Sequence, residues 1–313
     1  MTLIALVVMT AAALFFLLCY VCFRISVLRA NSADRTHGDI ENGSPLQPFK
    51  KRLIAAGEQL DNTEFEEVEI TSFDGLRLFA KLYKTSKPQD SNKIIFLFHG
   101  HHSSAQNDFA LSVPFYLSLG YNVLTPDMRA HQKSEGRYIT FGAAEKRDCL
   151  SWVDFAVERF GKDVKIVLGG VSLGASAVLM AAGLSPGDNV RAVISESCFT
   201  SGFDLVSLNI KNSVPLLSSA VFATVNCLCR VFASFDLRDE NTQVSLKSCN
   251  IPVLFIHGTR DSIIPCEMTL RSYAACNSQK ELLKITGADH GICRLCNEPL
   301  YNHTVAAFLQ KYV

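Results

Sequence analysis

Short apolar runs of strand length alternate with helical patterns along most of this chain, and that alternation restricts the fold more than any other feature. The buried-strand candidates are Lys93–Phe98, Asn122–Thr125, Val164–Leu168, Ala192–Ser195, Val253–Ile256 and Leu282–Ile285. Between them lie stretches such as Phe141–Phe160, where Leu150, Val153, Val157 and Phe160 recur at helical spacing and Gly161 supplies a stop. Strands that alternate with helices pair in parallel, and the crossover helices cover both faces of the sheet. Ahead of this region, Glu66–Thr71 and Leu76–Tyr83 alternate around Asp74-Gly75, the pattern of an antiparallel hairpin. The expected architecture is therefore α/β: a mostly parallel sheet with an antiparallel N-terminal hairpin and helices on both faces.

The 313 residues leave room for a large core, and 48% of them are apolar against 19% charged. That composition is incompatible with intrinsic disorder. Lysine and arginine balance aspartate and glutamate at 30 each, so no overall basic surface exists and no nucleic-acid partner is expected. The apolar excess has two local sources. The first is Thr2–Phe23, which carries no charge and is long enough to cross the hydrocarbon core of a bilayer, which takes roughly 20 residues. No basic residue precedes it and no good cleavage site follows it, so residues 2–23 are read as an uncleaved transmembrane anchor rather than a signal peptide. Residues 24–46 read as a polar linker, and residues 47–313 as the α/β domain. The basic residues after the anchor, Arg24, Arg29, Arg35, Lys50, Lys51 and Arg52, place that domain on the cytoplasmic side. The second apolar source is Ser213–Cys229, uncharged and set within residues 199–250, which is too long for a simple crossover. It reads as an inserted helical cap over the active site. A second membrane span is the alternative, diluted by Pro215, Ser218, Ser219, Thr224 and Asn226. Cys293 and Cys296 have metal-ligand spacing but no second pair in register. With 11 cysteines in all, they read as free thiols, and no metal is expected.

Gly170-Val171-Ser172-Leu173-Gly174 directly follows the strand candidate Val164–Leu168 and opens a helical run, Ala175–Leu184. A serine on such a turn is held in a strained conformation with its hydroxyl projecting from the sheet edge, and flanking glycines let strand and helix approach. The hydroxyl needs a base, and His290 in Gly287-Ala288-Asp289-His290-Gly291 is the candidate. The imidazole needs a carboxylate, and Asp261, just beyond Val253–Ile256, is the candidate; Asp289 adjoins His290 in sequence and is badly aimed at its ring. His257 reads as a strand cap and His303 as a surface or packing residue. Two backbone N–H groups must hold an oxyanion. Leu173 offers one, and His101, in the loop His99-Gly100-His101-His102-Ser103-Ser104, the other. The His101 and His102 side chains read as cleft-lining rather than metal-binding.

The order Ser172…Asp261…His290 and the strand–turn–helix setting of Ser172 resemble the α/β-hydrolase superfamily over residues 64–313. Asp127-Met128-Arg129-Ala130-His131-Gln132-Lys133-Ser134-Glu135-Gly136, Tyr138-Ile139-Thr140-Phe141-Gly142 and Val253-Leu254-Phe255-Ile256-His257-Gly258 resemble bacterial membrane-anchored hydrolases of the serine aminopeptidase and acylglycerol lipase-like clans. The resemblance implies the α/β-hydrolase fold and a carboxylic-ester hydrolase without cofactor, acting on a small-molecule ester. A serine peptidase and a non-catalytic binding protein of the same fold are the alternatives. Two glycines of the R-G-H-G pattern are replaced here by Ala130 and Gln132, which puts the local turn in question. Asp127 and Arg129 read as a buried structural ion pair.

Overall fold

A computed structural model describes residues 2–29, 40–41, 43–87 and 92–313. Eight strands form one sheet: β1 (Glu66–Thr71), β2 (Arg77–Tyr83), β3 (Lys93–Phe98), β4 (Asn122–Pro126), β5 (Lys165–Val171), β6 (Val190–Glu196), β7 (Val253–Gly258) and β8 (Lys280–Ile285). Their order across the sheet is β1-β2-β4-β3-β5-β6-β7-β8. β2 pairs antiparallel with β1 and β4, and every pairing from β4 to β8 is parallel. The helices are α1 (Thr2–Val27), α2 (Lys50–Asp61), α3 (Ala105–Phe109), α4 (Ser112–Ser118), α5 (Glu145–Phe160) and α6 (Leu173–Ala182). They continue as α7 (Gly202–Ser213), α8 (Ser218–Phe232), α9 (Thr242–Ser245), α10 (Cys266–Ala275), α11 (Cys293–Cys296) and α12 (Glu298–Tyr312).

The sheet buries both faces, which is why its central strands read as continuous apolar runs rather than alternating ones. Ile94, Phe96 and Phe98 of β3 point to one face, with Trp152 of α5 and Val178 of α6. Ile95 and Leu97 point to the other, with Tyr116 of α4 and Phe308 of α12. The expected helix Phe141–Phe160 starts later, at Glu145. Phe141 and Gly142 have positive φ, and the Glu145 carboxylate takes hydrogen bonds from the Thr140 and Gly142 N–H groups, fixing a turn instead of a helical one.

Two sequence boundaries move. The apolar helix does not stop at Phe23 but runs to Val27, and the next residues are not a free linker. Ile139 N–H donates to Val27 O at 2.7 Å and Arg29 N–H to Arg137 O at 2.9 Å. The Arg29 guanidinium reaches Ser134 O at 2.7 Å. Residues 30–39 and 42 of the presumed linker lie outside the described residues. The insertion between β6 and β7 is helical, as expected, but α8 lies along α1, with Phe23 and Phe232 ring centroids 6.5 Å apart. The core of its contacts is on the α5–α6 face of the sheet.

The Arg129 partner also differs from expectation. Its guanidinium makes two 2.6 Å hydrogen bonds to Asp148 and two more, at 3.0 and 3.2 Å, to Asp74. Asp127 instead accepts the Lys133 N–H. The i+2 spacing of Asp127 and Arg129 ties both to one turn but aims the arginine at α5. The turn survives the loss of both glycines: Ala130 and Gln132 themselves take the left-handed conformation, at φ 59° and 40°. His131 N–H to Met128 O and Ala130 N–H to Glu135 O close it.

Candidate active site

Ser172 stands between β5 and α6 at φ 56° and ψ −113°, a conformation that L-residues rarely adopt. The neighbours explain why it persists. A Cβ on Gly170 would meet Gly174 C at 2.4 Å, and a Cβ on Gly174 would meet Phe98 O at 2.0 Å. Only glycine permits strand and helix to close this tightly around the serine. The Ser172 N–H is tied to Glu196 O, so β6 holds the turn from the other side.

His290 and Asp261 come from the loops after β8 and β7. His290 Nδ1 lies 2.8 Å from Asp261 Oδ2. The Asp261 side chain is fully buried and both its oxygens are engaged. Oδ1 accepts the Ile263 and Ile264 N–H groups, while Oδ2 also lies 3.1 Å from His257 Nε2, whose N–H is directed at Ile264 O, 2.9 Å away. Burial alone pushes this carboxyl's pKa up. The hydrogen bonds from His257 and His290 outweigh burial and hold it well below the usual carboxylate range. His257 thus shares its N–H between the Ile264 carbonyl and the same carboxylate, which its reading as a strand cap missed. The signal was its i, i+4 spacing to Asp261 across the β7 turn. Asp289 is directed away from the ring: its Oδ1 accepts the Ser262 and His290 N–H groups and the Ser262 hydroxyl.

The loop after β3 packs directly on the serine. A Cβ on Gly100 would stand 3.4 Å from Ser172 Cβ. Asp108 clamps this loop, accepting Gly100 N–H at 2.7 Å and the Ser103 hydroxyl at 2.7 Å. His102, at φ 51°, donates its N–H to His131 Nε2 at 3.0 Å. His131 is fully buried, and burial drives its pKa well below the ordinary histidine value, which keeps Nε2 an acceptor. The His101 N–H has no acceptor among the described residues. The His101 and His102 rings stack at 3.8 Å and bond the foot of α1: His101 Nε2 reaches Ser26 O at 2.8 Å and His102 Nε2 reaches Leu28 O at 3.2 Å. Burial and the neighbouring His102 push His101 down to about 4, so near neutral pH its Nε2–H is a donor. Leu173 opens α6, where the first N–H groups lack intrahelical acceptors. Among the described residues no group of three or more His, Cys, Asp or Glu side chains is placed to hold a metal ion.

Ser172, His290 and His101 line one cavity of about 670 Å³. Its walls include Leu97, Ile194, Leu53, Phe109 and Ile292, and a size of several hundred Å³ suits a small-molecule site. No residue of 199–250 lines it. The expected greasy roof is corrected here: the cavity opens on the α2–α4 and α12 side of the sheet and is edged by Ile40, Glu41, Ser44 and Leu46. Glu196, at the end of β6, was not anticipated. It lines the cavity, accepts the Tyr301 hydroxyl at 2.9 Å and the Cys293 N–H at 3.2 Å, and has its pKa raised by burial. An acid at the C-terminal end of a buried strand was its signal.

Residues 94–294 match the model of the alpha/beta hydrolase family. The chain belongs to that family. Among curated relatives, this hydrolase is 26% identical to the uncharacterized protein YqkD of Bacillus subtilis over 250 residues, 79% of its own length and 81% of the relative's. It is 26% identical to protein bem46 of Schizosaccharomyces pombe over 221 residues, 70% of its own length and 68% of the relative's. The Pyrococcus furiosus esterase Pf2001 superposes with a TM-score of 0.62 at 24% identity, covering 87% of this hydrolase and 97% of that chain. Mouse alpha/beta hydrolase domain-containing protein 10 superposes at 0.57 with 20% identity, covering 79% and 99%. Both structural likenesses are of fold.

Proposed function

We propose that this α/β hydrolase cleaves a carboxylic ester with an apolar acyl group through an acyl-enzyme on Ser172. The observation that carries the reading is that Ser172, strained on its strand–helix turn, shares a cavity with a His290 imidazole already bound to a buried carboxylate. Nδ1 of His290 donates to Asp261, which leaves Nε2 as the acceptor for the Ser172 proton. The serine oxygen attacks the ester carbonyl, and the N–H groups of His101 and Leu173 hold the oxyanion. His290 passes the proton to the leaving alcohol. Water then enters, His290 takes its proton, and the acyl group is released. Each oxyanion donor contributes roughly 10²–10³ in rate in comparable sites. The aliphatic and aromatic cavity wall favours an apolar acyl chain, and the esterase among the fold neighbours is consistent with ester chemistry.

We further read α1 as a single membrane span, on its length and its strongly apolar composition, with the catalytic domain on the cytoplasmic side as the following arginines and lysines favour. Protease protection in sealed vesicles tests the side. The reaction is tested by a panel of esters, thioesters and amides of graded chain length on the full chain. Ester cleavage that strengthens with acyl length up to a limit is the expected outcome. Faster cleavage of aminoacyl amides than of any ester makes the chain a peptidase instead.

A further inference from the structure

The way α1 leaves the protein sets a length problem. Its residues Thr2–Leu14 are all exposed, while Phe15, Leu18, Cys19, Cys22, Phe23, Ser26 and Val27 form a continuous face turned toward the protein. At 1.5 Å per residue the free part is about 20 Å long, against a hydrocarbon core of about 30 Å. If α1 spans the bilayer, roughly six or seven further residues, down to about Cys19–Val21, also lie in hydrocarbon. Whatever packs on those turns must lie there too.

That neighbour is α8. Cys19 of α1 is within hydrogen-bonding reach of Thr224, and Phe23 packs on Phe232. The two helices therefore run in the same sense, and the start of α8 points along α1 away from the catalytic domain. The chain there is made for an apolar setting. No charged residue occurs between Lys211 and Arg230. Leu216 is 99% exposed and Leu217 is 49% exposed at the corner between α7 and α8. Three hydroxyls nearby are turned inward on their own backbone, Ser213 to Asn209 O, Ser218 to Pro215 O and Thr224 to Ala220 O, at 2.9–3.0 Å, while Ser219 is exposed. Such bonds satisfy hydroxyls that have no water to meet.

We propose that the α7–α8 corner, Val214–Val221, is a second membrane-embedded element that enters only the leaflet next to the catalytic domain, with the lipid bilayer as the occupant of its exposed apolar face. The proposal rests on the reading of α1 as a span. Together the two elements clamp the hydrolase against the membrane instead of leaving it on a tether. Lys211, one turn back on α7, then sits at headgroup depth, where its long side chain can reach the polar layer.

The test uses the full chain in phosphatidylcholine vesicles with and without lipids brominated on the acyl chain. The protein has one tryptophan, Trp152, 1% exposed in the core, and it serves as an internal control. Leu216→Trp and Leu6→Trp each add a reporter at an exposed site. Loss of the added emission in brominated vesicles for both variants, with wild type unchanged, is the expected result. If Leu6→Trp is quenched but Leu216→Trp responds to aqueous iodide instead, the corner is in water and the proposal fails while the span stands. A Leu216→Trp emission shielded from both quenchers means a protein covers the corner, which also overturns it. If neither reporter is quenched by bromine, the span itself is wrong and the proposal falls with it.

Discussion

Replacing Asp261 by asparagine separates the chemical role of this carboxylate from its structural one. The wild-type group receives two amide N–H bonds on Oδ1 and the His290 imidazole bond on Oδ2, with His257 Nε2 3.1 Å away and shared with Ile264 O. An asparagine oxygen can keep the two amide bonds. Its NH₂ group then faces the donors of His290 and His257, so His290 must rotate or change tautomer and loses Nε2 as a base. Losing a carboxylate that fixes this tautomer costs about 10⁴ in kcat in the serine-protease triad, and a drop of roughly 10³–10⁴ is expected here. The His290 hydrogen bond to a charged group is lost as well, so the variant is destabilised by about 1.5–3 kcal/mol. The linkage has a definite sign. The folded-state pKa of Asp261 lies below its unfolded value of about 3.9, so its stabilising contribution is complete above that pH and is lost as pH falls toward the folded value. The assay is hydrolysis of a short p-nitrophenyl ester by the full chain, beside thermal melts followed by Trp152 fluorescence from neutral to acid pH. The gap in melting temperature between wild type and variant should narrow on acidification below about pH 4. A variant that keeps more than about a tenth of wild-type kcat refutes the role given to Asp261.

Other expectations follow from the same geometry. Arg129→Ala leaves Asp148 buried without its partner and should cost about 3–5 kcal/mol, read as a lowered denaturation midpoint. Gln132→Gly relieves a left-handed residue and should stabilise the protein by about 1 kcal/mol, with unchanged kcat. A chain beginning at residue 47 lacks the Ser26 and Leu28 carbonyls that hold His101 and His102, and should lose at least about tenfold in kcat relative to one beginning at residue 19. Equal rates for the two truncated chains would mean that the foot of α1 is not part of the site.

The sheet was legible because each central strand is buried on both faces, and the period of its helices is equally plain. The Gly170–Gly174 turn was legible for a steric reason: the contacts at Gly170 and Gly174 admit no side chain. What remained hidden depended on tertiary placement. Whether the apolar 213–229 segment covers the cavity or the anchor is a choice between two greasy surfaces, and composition is the same for both. Ile40–Leu46 and Glu196 reach the cavity from distant parts of the chain, joined by no local pattern. Arg129 chose Asp148 over Asp127 because α5 brings its carboxylate to the turn, a contact 19 residues away in sequence. His131 reaches the His102 N–H, 29 residues away, through a ring orientation that sequence spacing does not encode.

The central claim is that Ser172 is the nucleophile. Treating the full chain with a fluorophosphonate probe tests it directly, since the probe bonds only an activated serine. The account predicts one labelled serine in wild type, mapped by mass spectrometry to the peptide containing Ser172, and no labelling of a folded Ser172→Ala variant. Labelling of that variant at the wild-type level, or a modified serine elsewhere, contradicts it.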